Sequence, residues 1–292
     1  MDSQFITLFL NAIVAGLLLG GFYAALSVGI SISFGMLDIV NIAHPAFIIL
    51  GSYATFLIFT YLGLDPILAV FIVVPVFFAL GLVVYNVYYH SFEKHGSEPL
   101  RGLAFFFGLL FIIEVTIVLT AGVDYRTVAT SYTDTTLKLG PVDLPLRIVV
   151  PFAISMLMVL GIRWFLSKTY FGRAVSAVAQ DSMALQLMGV NPVKVKSYAF
   201  AISIVTAGVG GALLIIIQSV QPSMGRDYIG LVFAICVLGG LGSVYGTLVG
   251  AFILGIAETF TATFAGPSWA PAVSFGLLLL TLAFRPSGIF GR

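Results

Sequence analysis

Few side chains in this chain are equipped for chemistry, and their spacing decides what kind. Asp38, Asn41 and His44 recur every third residue, so a helical segment would bring all three to one face. Polar groups inside apolar stretches are costly unless they face protein or water, which makes Asn41 and His44 candidates for lining a substrate pathway. A helix emerging at a membrane surface would carry the same residues. Glu114 and Glu258 are acids within apolar runs. Glu114 reads as an inter-helix hydrogen-bonding group in preference to a proton relay. His44, His90 and His95 lie in unrelated segments without ligand spacing, so no metal site is expected. The single cysteine, Cys236, rules out a disulfide framework or a thiol metal site and reads as core packing. No Ser–His pair has catalytic spacing, and no G-x-x-x-x-G-K-[ST] phosphate loop is present.

The elements that position these residues are set by composition. With 60% hydrophobic and 9% charged residues over 292 positions, the chain departs from soluble domains, where roughly 25% of residues are charged. Apolar runs fall at Phe5 to Phe34, Ala46 to Leu62, Pro66 to Tyr89, Gly102 to Gly122, Ile148 to Leu166, Ser197 to Ser219, Gly230 to Phe264 and Trp269 to Phe284. Most match the roughly 20 residues that cross a hydrocarbon core. The first and seventh are too long for one untilted span, so each is expected to contain a break or a second crossing. The expectation is an all-α, polytopic membrane bundle of eight or nine spans with broken or re-entrant segments, forming one domain over residues 1–292. The N-terminal MDSQ has no positive n-region, so the first apolar run is expected to stay as a helix and not to act as a cleaved signal.

Basic residues orient the bundle. Placing the 163–196 region in the cytosol puts Lys94, Arg101, Arg163, Lys168, Arg173, Lys194, Lys196, Arg285 and Arg292 inside, against Arg126, Lys138, Arg147 and Arg226 outside. The N-terminus then lies outside, provided that residues 33–44 return to the cytosolic side. The outer interlude, 122–147, carries β-branched residues in TVATSYTDTT and then turn residues, consistent with a small hairpin or a solvated connector.

Inside, the stretch 172–191 combines small, polar and apolar residues between two spans. Asp181 is placed to cap a helix of about two turns, and Gly189 followed by Asn191-Pro192 ends it. Ser182 and Gln186 share one narrow face of that helix, while Met183, Ala184, Leu185, Leu187 and Met188 cover the rest. An apolar knob in the cytosol needs a partner's groove; an amphipathic helix on the lipid surface is the plainer alternative. Two apolar runs are also interrupted, at 34–53 and 237–252. Gly and Pro within membrane segments free backbone groups, and paired interruptions point to a transport pathway. Gly239, Gly240 and Gly242 belong to the second interruption; they serve equally well as close-packing sites between helices.

These blocks resemble a family. Gly172, Arg173, Ala174, Ala177, Asp181, Ala184, Met188 and Gly189 stand at the matching positions of G-R-A-x-x-A-x-x-x-D-x-x-A-A-x-x-M-G-I, a pattern of the permeases of branched-chain amino acid ABC importers. VLGGLGSVYGTLVGAFILGIAE (237–258) and FRPSGIFGR (284–292) are similar to two further family blocks, and residues 16–44 resemble the N-terminal block of its H-type subunit. After His44 the chain departs: Pro45 and Ala46 replace the usual Gly and acidic residue, and His-x-Ala-Phe is closer to the partner M-type subunit. The resemblance implies an all-α permease in a bacterial or archaeal plasma (inner) membrane, paired with a second permease subunit. It implies two ATP-binding subunits and an extracytoplasmic substrate-binding protein as partners, with no cofactor of its own because ATP is bound by the partners. Gly172, Arg173, Ala177, Asp181, Ala184, Leu185, Met188 and Gly189 would couple to the ATPases, and Glu258 would have a structural or coupling role. Related permeases handle urea, short amides or other amino acids. An ion-gradient-driven secondary transporter is the rival reading and would need more paired ionisable residues within the spans.

Overall fold

The computed structural model describes residues 3–96, 99–140 and 142–291. Among them, eight helices are long and apolar enough to cross a membrane, and the chain is a multi-pass membrane protein. In chain order the elements are α1 (Ser3–Ser33), α2 (His44–Leu62), α3 (Pro66–Ser91), α4 (Pro99–Ala121), strands β1 (Thr136–Leu139) and β2 (Val142–Pro145), α5 (Leu146–Lys168), α6 (Tyr170–Gln180), α7 (Ser182–Leu187), α8 (Pro192–Ile217), α9 (Gly225–Gly239), α10 (Val244–Phe264) and α11 (Ala270–Phe284), of which α6, α7 and α9 are not among the eight.

Local chemistry fixes most boundaries. Gly63, at φ 65°, ends α2, and Asp65 then caps α3 by accepting from the Ile67 amide at 2.9 Å, with Pro66 at the first helical position. Asn191 and Pro192 open α8 in the same way. The expected break within the first run is not there: α1 is unbroken from Ser3 to Ser33. At 1.5 Å per residue it is about 46 Å long, so it tilts or protrudes. Its glycines serve packing instead. A Cβ on Gly20 would stand 2.8 Å from the Phe252 Cα of α10, and only bare backbones approach this closely. The seventh run does break, at residues 240–243, into α9 and α10.

The core centres on α8, whose apolar window is 83% buried, so its partners are helices and not lipid. α1, α2 and α3 wrap it, and side chains bridge to bare carbonyls: Ser203 donates to Gly29 O at 2.8 Å and Ser52 to Gly211 O at 2.7 Å.

The ends separate by charge. One end gathers Lys94, Arg101, Arg163, Lys168, Arg173, Lys194, Lys196 and Arg285, with Lys196 paired to Glu93 at 2.6 Å; Arg292 lies outside the described residues. The start of α1, Asp65, Arg126, Lys138 and Arg147 share the opposite end. There β1 and β2 pair antiparallel with Leu137 opposite Leu144, downstream of the β-branched TVATSYTDTT stretch that carried the hairpin expectation. The Asp143 amide donates to Asn11 at 3.0 Å, and Tyr132 donates to Asp65 at 3.2 Å. Burial pushes the Tyr132 hydroxyl up to about 12. Arg226, in the first turn of α9, reaches Glu114 of α4, donating from Nε at 2.9 Å.

Candidate transport pathway and cytosolic coupling site

Two segments without α-helix enter the bundle. Residues 34–43 follow α1 without forming a helix, and Asp38 takes a left-handed φ of 56°. Asp38, Asn41 and His44 therefore do not share a helical face. Asp38 is exposed, whereas Asn41 and His44 are 1% and 0% exposed. Asn41 Oδ1 accepts from the Ala43 amide at 3.1 Å and so shapes the turn into α2. His44 Nε2 lies 3.1 Å from Leu26 O; a carbonyl only accepts, so Nε2 carries the proton and Nδ1 is left as an acceptor. His44 Nδ1 and Asn41 Nδ2 are buried with no protein partner. One acceptor and one donor thus stand without a protein partner at the start of α2.

The second segment, residues 218–224, leads into α9, and the first turn of α9 packs on that of α2. A Cβ on Gly225 would stand 3.3 Å from the Ala46 Cα. The N-termini of two discontinuous helices therefore meet inside the bundle, an arrangement found at substrate sites of transporters built from broken helices.

At its far end α9 stops at residues 240–243. Gly240 has φ 100° and Gly242 has φ 79°, conformations costly for any residue with a Cβ. The carbonyls freed there are taken up by the chain's own tail: Ile289 donates to Leu238 O at 2.9 Å and Phe290 to Gly239 O at 3.1 Å. Gly239 itself is pressed against the Gly246 backbone of α10, so it packs as well as ends the helix. Tyr245 meets the Phe290 ring at 5.0 Å and lies under the Arg163 guanidinium at 4.7 Å. Composition pointed to the break, but nothing in it pointed to this backbone docking.

The loop between α5 and α8 folds as two helices. α6 buries Gly172, Val175 and Val178, and Gly172 abuts the Leu166 backbone, closing the elbow after α5. Arg173 is exposed and lies over the Tyr170 ring at 5.0 Å; Ala177 is half-buried. Asp181 caps α7, accepting from Met183 N at 2.9 Å and Ala184 N at 3.0 Å. Gly189, at φ 82°, terminates it. Met183, Leu187 and Met188 are 73%, 85% and 79% exposed and Ala184 is also exposed, whereas Leu185 is 6% exposed and belongs to the chain's own core. A cleft of about 590 Å³ then connects this element to both breaks, being lined by Ser176 and Gln180 of α6, Gly35 and Met36, and Gly242 with Phe290.

The two intramembrane acids behave differently. Glu114 is held by Arg226 and so ties α4 to α9. Glu258 on α10 has no such partner among the described residues, and its Oε2 is buried without a hydrogen bond.

Together these features define a polytopic helical transport protein with paired broken helices and a small apolar helix exposed at its basic end. The family model described as branched-chain amino acid transport system / permease component matches residues 12–282. The chain belongs to that family. It is 29% identical over 295 residues to the high-affinity branched-chain amino acid transport system permease protein BraD of Pseudomonas aeruginosa, covering 97% of this chain and 96% of that one. It is 29% identical over 303 residues to LivH of Escherichia coli, covering 100% and 98%. The probable branched-chain amino acid transport permease protein LivH of Methanocaldococcus jannaschii is 24% identical over 278 residues, covering 91% and 87%. Among solved structures, PsaBC from Streptococcus pneumoniae in complex with Fab superposes with a TM-score of 0.51 at 14% identity, covering 96% of this chain and 92% of that one. At that identity the likeness concerns the fold alone.

Proposed function

We propose that this chain is the membrane-spanning permease subunit of an ABC importer for branched-chain or related amino acids in a bacterial or archaeal plasma (inner) membrane. The single observation that carries the coupling is α7: a capped two-turn helix at the basic end that exposes Met183, Leu187 and Met188 to water. So much apolar surface on so short a helix marks a docking site. Two ATP-binding subunits grip this helix, one on this chain and one on a second permease subunit. ATP is bound and hydrolysed there, and residues 1–292 form a single permease domain. A substrate-binding protein delivers to the opposite end.

Within the docking element, Asp181 and Gly189 set the ends of α7, while Ala184 and Met188 meet the partner. Leu185 anchors α7 to its own chain. Gly172 and Ala177 seat α6, and Arg173 offers a charge at the rim. Movement of α6 reaches Gly35 and Gly242 through the cleft they share, and Gly239 and Gly240 let the end of α9 respond. Asn41 and His44 line the path through their unused donor and acceptor. Differential affinity of the substrate and the ATPases for two conformations is what couples the two processes.

The test is uptake of radiolabelled L-leucine into proteoliposomes holding the full complex. ATP-dependent uptake that disappears when the ATPase subunits are omitted is the expected result. Uptake by this chain alone, driven by an ion gradient, would replace the reading with a secondary transporter, and transport of urea or a short amide in place of leucine would redirect the substrate.

A further inference from the structure

A cavity of about 490 Å³ opens among α1, α9, α10 and α11, within the roughly 300–1,000 Å³ of small-molecule sites. Its polar wall carries Glu258, Tyr23, Tyr228 and Gln218, and Leu231 and Phe275 form part of its apolar wall. Gln218 Nε2 donates to the Tyr228 hydroxyl at 2.7 Å, which fixes the tip of that ring. Tyr23 lines the same wall as Glu258, and Glu258 Oε2 is buried with no partner.

The electrostatics of this cavity are incomplete. Among the described residues the acids in salt bridges are Glu93 and Glu114, so Glu258 has no protein cation. The guanidinium that lines the same cavity, Arg226, is already engaged by Glu114 through Nε and Nη2. A carboxylate withdrawn into a membrane bundle without a counter-ion is expensive. A primary ammonium arriving with a solute supplies both the charge and the missing donors. Arg226 keeps further N–H groups beyond those given to Glu114, and these suit a carboxylate.

We propose that Glu258 is the counter-ion for the α-ammonium group of an aliphatic amino acid held in this cavity, with Leu231 and Phe275 against its side chain and Arg226 toward its carboxylate. The inference rests on the reading of the chain as an amino-acid permease and adds a binding site to it.

The experiment uses the full complex in proteoliposomes, with binding protein saturated by radiolabelled L-leucine or L-alanine. Glu258→Gln keeps the shape and removes the charge. Leucine uptake at least tenfold below wild type in complexes that assemble normally by size exclusion, with partial recovery in Glu258→Asp, is the expected result. Uptake by Glu258→Gln within twofold of wild type overturns the proposal, because a merely structural hydrogen bond survives the amide. Should Glu258→Gln fail to assemble, Leu231→Phe decides. Narrowing the apolar wall lowers the leucine-to-alanine ratio of maximal rates at least threefold if the side chain sits there, and an unchanged ratio overturns the assignment. Wild-type complex that takes up no leucine with ATP is a different failure: it removes the permease reading, and the inference falls with it.

Discussion

Gly35 and Gly242 lie back to back: a Cβ built on Gly242 would stand 2.6 Å from the carbonyl oxygen of Gly35. Each belongs to one of the two interruptions in the bundle, Gly35 just after α1 and Gly242 between α9 and α10. The contact therefore joins both broken segments at the end where α6 and α7 sit. Because neither position has room for a side chain, the junction is narrow and steric.

Gly242→Ala tests that junction. Its left-handed φ of 79° costs a residue with a Cβ about 1 kcal/mol or more, and the overlap with Gly35 adds to it. We expect a lower thermal unfolding temperature in detergent and uptake reduced at least tenfold. Combining it with Gly35→Ala should cost less than the sum of the two single changes, since both disturb one contact. Wild-type transport by Gly242→Ala would show that the contact is dispensable.

The C-terminal tail makes a second prediction. Ile289 and Phe290 donate to the carbonyls of Leu238 and Gly239, so deleting residues 286–292 leaves two backbone acceptors to water or to nothing. An unsatisfied buried acceptor costs about 1–3 kcal/mol, with the low end expected because the adjoining cleft admits solvent. A cysteine placed at Leu241 should react faster with a water-soluble maleimide after truncation. Equal labelling rates would mean that the tail does not hold the break.

Glu114 and Arg226 tie α4 to α9, and the arginine side chain is 52% exposed against 12% for the glutamate. The asymmetry predicts an asymmetric phenotype. Arg226→Ala strands the less exposed carboxylate and should lower thermal stability more than Glu114→Gln, which leaves a guanidinium that can still reach water. The double variant should recover part of the loss. Thermal unfolding of the four proteins checks the order, and strict additivity would show that the pair carries no coupling.

What could be read from the sequence was what depends on neighbours along the chain. Asp181 and Gly189 mark the ends of α7 because a cap and a left-handed stop act within a few residues. The glycine run at 239–242 marks the break after α9 for the same reason. The misreadings have non-local causes. The length of the first run signalled a break, but α10 packs on Gly16 and Gly20 and α1 runs through unbroken. Asp38, Asn41 and His44 had helical spacing, yet the turn held by Asn41 and the left-handed Asp38 abolish the shared face. The Glu114–Arg226 pair, the docking of the tail on α9 and the grouping of Tyr23, Tyr228 and Glu258 around one cavity join residues far apart in the chain. Periodicity carries no information about such pairings.

Within α7 the burial pattern separates folding from coupling. Leu185 is 6% exposed, whereas Ala184 and Leu187 face water, Leu187 being 85% exposed. Leu185→Asp puts a charge into the chain's own core, where removal of apolar contact and an unpaired carboxylate both destabilise, so loss of the protein from the membrane is expected. Leu187→Asp and Ala184→Asp put the charge into water and should leave abundance and thermal stability unchanged. In the proposed complex the same charge would meet the partner's groove, so uptake should fall at least tenfold and co-purification of the ATP-binding subunits should weaken. Asp181→Ala occupies the middle ground: it removes acceptors for two amides, costs α7 about 1 kcal/mol, and should halve coupling or worse, with Asp181→Asn restoring it. Immunoblots of membranes, co-purification and uptake measured on the same five variants distinguish these outcomes. Normal uptake by Leu187→Asp and Ala184→Asp together would mean that no partner grips this helix.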